Sequence, residues 1–121
     1  FAMAYDDQNI FAKILRGEIP CDKVYEDEYA MAFNDIAPKA PVHILVIPTG
    51  RYVSIEDFGA RASAEEVQGF FAAVAKIVNE QGLTENGFRS IANTGSDGGQ
   101  EVAHFHLHIL GGAPVGPMVA P

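Results

Sequence analysis

An α+β domain on a mainly antiparallel sheet is the fold this chain predicts, and three features of the sequence predict it. Short β-type runs recur along its length, at Lys23–Glu26, Tyr29–Asn34, His43–Pro48, Phe88–Asn93 and His104–Ile109, with turn residues between them. A single long amphipathic helix interrupts those runs between Ser63 and Gly82. The length of 121 residues, 48% apolar and 20% charged, is enough for one domain to bury a core without disulfide or metal staples. About five strands, one long helix and one short helix are expected, in a single domain from residue 3 to residue 121. Phe1-Ala2 ahead of Met3 reads as a cloning scar.

In order along the chain, Asp7 is placed to cap a short helix over Gln8–Arg16. Its apolar stripe is Phe11, Ile14 and Leu15, and Gly17 stops it. Two strands follow, joined by the acidic turn Asp27-Glu28. Asp35–Pro41 carries two prolines and predicts an irregular connection. The near-continuous apolar run His43–Pro48 predicts a central strand covered on both faces. A short helix is expected near Ser54–Phe58. Ser63 and Glu66 then form a capping box for the long helix, whose Val67, Phe70, Phe71, Val74, Ile77 and Val78 fall at helical spacing. After the Phe88–Asn93 strand, the glycine-rich loop Thr94–Gln100 leads into the histidine run. The tail from Gly111 onward is too rich in Gly and Pro for regular structure.

Charge and composition narrow the partners. A net charge of −8 argues against nucleic acid, because phosphate backbones need Lys/Arg stripes. A small phosphorylated ligand stays open, since backbone N–H groups and histidines can hold it locally. The lone Cys21 excludes an internal disulfide framework. No long apolar stretch or charged-then-apolar leader is present, so a cytoplasmic protein without membrane contact is expected.

The distinctive stretch is His104-Phe105-His106-Leu107-His108-Ile109-Leu110-Gly111-Gly112, which holds three of the chain's four histidines. In a strand, alternation at period two puts the imidazoles on one face and Phe105, Leu107 and Ile109 on the other. Three readings of the imidazole row stand. It can be a hydrogen-bonded structural row. It can begin a metal site, with His108 or His43 as a third ligand and Glu101 as a carboxylate donor. Or a neutral imidazole can attack phosphorus while its neighbours and the N–H groups of Gly98-Gly99-Gln100 hold the phosphoryl oxygens.

His104–Gly112 resembles the signature of the histidine-triad superfamily, His-φ-His-φ-His-φ-φ with φ apolar. The chain looks like its branch of nucleotide-binding purine nucleoside phosphoramidases, and the Gly116-Pro117-Met118 stretch of its tail is similar to the bacterial members. Ile10–Ile14, Gly17–Pro20, Ala32–Ile36, Ala40–His43 and Gly98–Val102 fall in the family's order and spacing. The resemblance implies a homodimer with the sheet extended across it. It implies hydrolysis of adenosine or guanosine 5′-phosphoramidates to nucleoside monophosphate and amine, without metal or cofactor. By that resemblance His106 matches the nucleophile that becomes nucleotidylated, and His104 the residue whose carbonyl orients it. His108 matches a phosphate contact and His43 a proton relay. Asp35 matches the ribose carboxylate, and Ile36, Phe33, Phe11, Ile14 and Ile19 the purine slot. Asn93 and the backbone of Gly99, Gln100, Glu101 and Val102 match the groups around the phosphate. The alternative is a nucleotide-binding scaffold with vestigial activity. Two departures stand out: Asn9 and Ala12 occupy the place of a Cys-x-x-Cys pair that helps some members bind zinc, and Glu101 replaces a serine of the eukaryotic members.

Overall fold

The most apolar run of the sequence becomes the middle strand. In the computed structural model, which describes residues 4–119, β3 (Val42–Pro48) lies at the centre of a five-stranded sheet. The suggested scar at Phe1-Ala2 falls outside the described residues, as do Met3, Ala120 and Pro121. The other strands are β1 (Lys23–Glu26), β2 (Ala30–Asn34), β4 (Phe88–Ile91) and β5 (Leu107–Gly111), in the spatial order β1-β2-β3-β5-β4. Every neighbouring pair is antiparallel. The predicted α+β class with a mainly antiparallel sheet is the observed one.

Alternation along β2 and β3 divides the core in two. Ala30, Ala32, Ile44 and Val46 face the long helix α3 (Ala64–Glu80), where Phe70, Ala73 and Ile77 are fully buried. Met31, Phe33, Leu45 and Ile47 face the other way, against Phe11 and Ile14 of α1 (Ile10–Leu15). Covering both faces is what allows β3 to be apolar at nearly every position. On the α3 side Phe58, Phe70 and Phe105 cluster with ring centroids 5.2–5.3 Å apart. Phe71, one residue round the helix from Phe70, is exposed rather than buried.

The ends of the elements depart from the sequence expectation for local reasons. Asn9, not Asp7, caps α1, its side chain accepting the Ala12 N–H. The Asp7 carboxylate is instead drawn to Arg51 at 3.0 Å. Ser54 caps α2 (Ile55–Arg61), which runs three residues past the expected Phe58. The capping box of Ser63 and Glu66 is present on both sides of its exchange. The glycine-rich loop contains one helical turn, α4 (Gly95–Gly98), closed by Gly99 at φ 74°. Among the described residues, short helices therefore number three beside α3. β4 stops at Ile91, where its ladder with β5 ends at the Ile91–His108 pair. Beyond that pair the segment leading into β5 turns away, and the Phe105 N–H bonds Tyr52 O at 2.7 Å.

That turn also corrects the histidine strand. β5 begins only at Leu107, so His104, Phe105 and His106 lie ahead of any ladder. The alternation survives: Phe105, Leu107 and Ile109 enter the α3-side core, while the imidazoles gather on the face carrying Phe11.

Candidate active site

A cleft of about 670 Å³ opens on the α1 side of the sheet, within the size range of small-molecule sites. Phe11, Ile14, Ile19 and Phe33 form an apolar wall, and Ile36 stands fully exposed in its lining. Asp35, Asn93, Gly99, Glu101, Val102, His43, His106 and His108 also line it. Two expected residues do not. The His104 ring is completely buried behind the cleft. Gln100 turns its amide into the protein, donating to Val53 O and Val102 O and accepting from the Gly95 N–H. It braces the loop rather than facing a ligand.

The protonation of each imidazole follows from its partners. His106 Nδ1 lies 2.7 Å from His104 O, and a carbonyl only accepts, so Nδ1 carries the proton. His106 Nε2 keeps a lone pair, has no partner among the described residues and is not sealed from solvent. His43 Nδ1 accepts the Lys39 N–H at 3.0 Å, which places the proton of the neutral ring on Nε2. That N–H points to His108 Nδ1 at 2.9 Å, with Asp35 Oδ2 at 3.4 Å as a weaker second acceptor. The proton of His108 then belongs on Nε2, which is also unpartnered among the described residues. One lone pair and one N–H donor therefore open onto the same cleft.

All four histidines are held below the ordinary imidazole range, with burial the leading cause. His104 and His108 are pushed down to about 4. For His108 the neighbouring His106 and His43 add to burial. His106 is lowered less simply, because its bond to the His104 carbonyl and the charges of Asp35 and Glu101 oppose burial. His43 is lowered by burial against the opposing pull of Asp35. Neutral rings at pH 7 are the consequence, and an unprotonated nitrogen is what a nucleophile needs.

The remaining polar groups sort themselves similarly. Asp35 Oδ1 accepts the Ala37 N–H at 2.8 Å, which fixes the carboxylate at the cleft edge with acceptor capacity left over. In the loop, the N–H groups of Gly99 and Gln100 are spent on Ser96 O and Gly95 O. Those two backbone donors, expected near the phosphate, are unavailable. The N–H groups of Glu101 and Val102 have no described protein acceptor and lie where the loop meets the cleft.

Asp35, His43 and His108 also bring three potential metal-ligand atoms within 4.8 Å of one another. The donor chemistry does not suit a cation. With its Nδ1 lone pair engaged by Lys39, His43 presents an N–H to the other two groups. Asn9 caps α1 and Ala12 is buried in it, so neither adds a ligand.

Lys39 and Tyr5, which respectively fix His43 and His104, went unnoticed in the sequence. Tyr5 sits 99 positions from its partner, and no local pattern connects them.

Known proteins similar to this chain match it over most of its length. A family model described as the HIT domain matches residues 16–115. A 13.2 kDa HIT-like protein of Azospirillum brasilense is 52% identical over 118 residues, covering 98% of this chain and 97% of that one. The purine nucleoside phosphoramidase of Escherichia coli K12 is 48% identical over 115 residues, covering 94% and 95%. A histidine triad protein from Clostridium difficile superposes with a TM-score of 0.82 at 46% identity, covering 97% of this chain and all of the other.

Proposed function

The chain belongs to the HIT-domain family, and on that premise we propose that it is a purine nucleoside phosphoramidase working through a covalent nucleotidyl-histidine. The carrying observation is the fixed tautomer of His106, whose Nδ1–H is held by His104 O while Nε2 keeps its lone pair toward the cleft. The named activity of the 48% identical Escherichia coli relative supports the same reading.

In the proposed reaction His106 Nε2 attacks the α-phosphorus of a nucleoside 5′-phosphoramidate. The P–N bond breaks as the P–Nε2 bond forms, and the amine departs with a proton taken from the medium. Water then attacks the same phosphorus and gives up a proton to the medium, as the P–Nε2 bond breaks and the nucleoside monophosphate is released. His108 Nε2–H and the N–H groups of Glu101 and Val102 donate to the phosphoryl oxygens as charge develops. His43 holds His108 in the donor tautomer. Asp35 accepts from the ribose hydroxyls, and Phe11, Ile14, Ile19, Phe33 and Ile36 enclose the purine.

These groups provide the charge stabilisation themselves, so turnover is expected to be indifferent to chelator. The homodimer belongs to the same reading, supported by exposed Phe88 on the edge strand β4 and exposed Phe71 on α3. Turnover of a fluorogenic adenosine phosphoramidate, with and without EDTA, tests the function. Chelator-insensitive release of amine is the expected result; no release from adenosine or guanosine substrates contradicts it.

A further inference from the structure

We propose that Tyr5 is a positioning residue for the nucleophile, its hydroxyl holding His104 so that the His104 carbonyl keeps the His106 proton on Nδ1. This rests on the reading of His106 as nucleophile.

The bonding is unambiguous in direction. His104 Nε2 lies 3.0 Å from Pro48 O and must donate to it. Its Nδ1 is then an acceptor, and Tyr5 Oη donates to it at 2.6 Å. The ring is fully buried, and these are its two hydrogen-bond partners among the described residues. On the same residue, the carbonyl receives the His106 Nδ1–H at 2.7 Å.

Position in the chain makes these contacts consequential. His104–His106 precede β5, so no ladder fixes that carbonyl. What fixes it is the Phe105 N–H to Tyr52 O, the His104 ring to Pro48 O, and Tyr5. Two of these anchors are backbone carbonyls; Tyr5 is the side-chain anchor. Tyr5 is itself held, with its ring edge toward His104 and the Arg51 guanidinium 5.2 Å from its centroid. Arg51 in turn pairs with Asp7.

Removing the hydroxyl leaves a buried Nδ1 acceptor with no donor. The ring then turns to seek another donor, which disturbs its neighbours and the carbonyl beside it. The His106 N–H then loses a defined acceptor, and the Nε2–H tautomer gains population. That tautomer offers no lone pair to phosphorus. Because Tyr5 does not line the cleft, substrate affinity should change little.

The test compares wild type with Tyr5→Phe, using imidazole 15N spectra of the free protein alongside steady-state kinetics on an adenosine phosphoramidate. The expected result is a His106 signal that moves from the Nδ1–H form toward a mixture of tautomers. With it, kcat should fall roughly 5- to 20-fold while KM stays within about twofold. A purely structural role would lower the melting temperature without moving that signal. An unchanged His106 tautomer overturns the proposal, whatever happens to stability. If the wild type shows no turnover yet the tautomer responds to Tyr5→Phe, the positioning role stands and the phosphoramidase reading falls.

Discussion

At His106 the two ring nitrogens have separate duties, one tied to a carbonyl and one left free, and catalysis depends on the difference. His106→Ala should therefore lower turnover by at least about a thousandfold, the scale for removing a nucleophile, with nucleotide affinity largely kept. Retained turnover would remove the assignment. Asp35 is a different kind of residue, an acceptor anchored by the Ala37 N–H at the edge of the cleft. Asp35→Ala should weaken nucleoside monophosphate binding by about 1–3 kcal/mol, as expected for charge-assisted hydrogen bonds. Unchanged affinity by calorimetry would end the ribose assignment. At this scale the sequence was informative wherever a local pattern existed. The His-x-His-x-His alternation announced which side chains share a face. It was silent on Tyr5 and Lys39, whose importance lies in contacts made only after folding.

At the scale of elements, the histidine segment is part strand and part extended lead-in, and the loop before it is braced by Gln100. Periodicity reads side-chain facing well but cannot say where a ladder ends. That end is decided by the Phe105 N–H turning to Tyr52 O instead of to β4. Helix caps show the same division. The Ser63–Glu66 box was legible because both partners are local, whereas α1 starts at Ile10, so its cap falls to Asn9, and Asp7 pairs with a distant arginine. α3 offers a test of packing at Gly69, where a Cβ would come within 2.3 Å of the Tyr29 ring. Replacing glycine by alanine inside a helix ordinarily gains about 1 kcal/mol. Overpacking of this severity costs about 1–3 kcal/mol, so Gly69→Ala should be net destabilising in a urea melt. A stabilised variant would mean that Tyr29 does not lie against α3.

For the whole molecule, four histidines held below their ordinary range make a single pH prediction. In the unfolded chain they titrate near about 6.5. In the fold they titrate lower, His104 and His108 near about 4. Between those values the unfolded chain binds more protons, so stability rises with pH there. It is complete above the unfolded value and is lost as pH falls through about 6.5 toward about 4. Thermal melts in about 0.15 M salt, where long-range charge repulsion is screened, should give a flat Tm above neutrality and a falling one from pH 6.5 to 5. A Tm that climbs on acidification would contradict neutral buried imidazoles. The fold class, the two-sided central strand and the long helix were all readable from pattern. The closing of α1, the Asp35–Pro41 connection and the histidine lead-in around one cleft was not, because those segments lie far apart in the chain.

The most direct measurement is intact-protein mass spectrometry on enzyme mixed briefly with an adenosine phosphoramidate and quenched. The expected result is a mass gain of one adenylyl group in wild type, indifferent to chelator and missing in His106→Ala. Turnover with no adduct in wild type at any quench time, or an adduct that persists in His106→Ala, would contradict a covalent intermediate on this histidine.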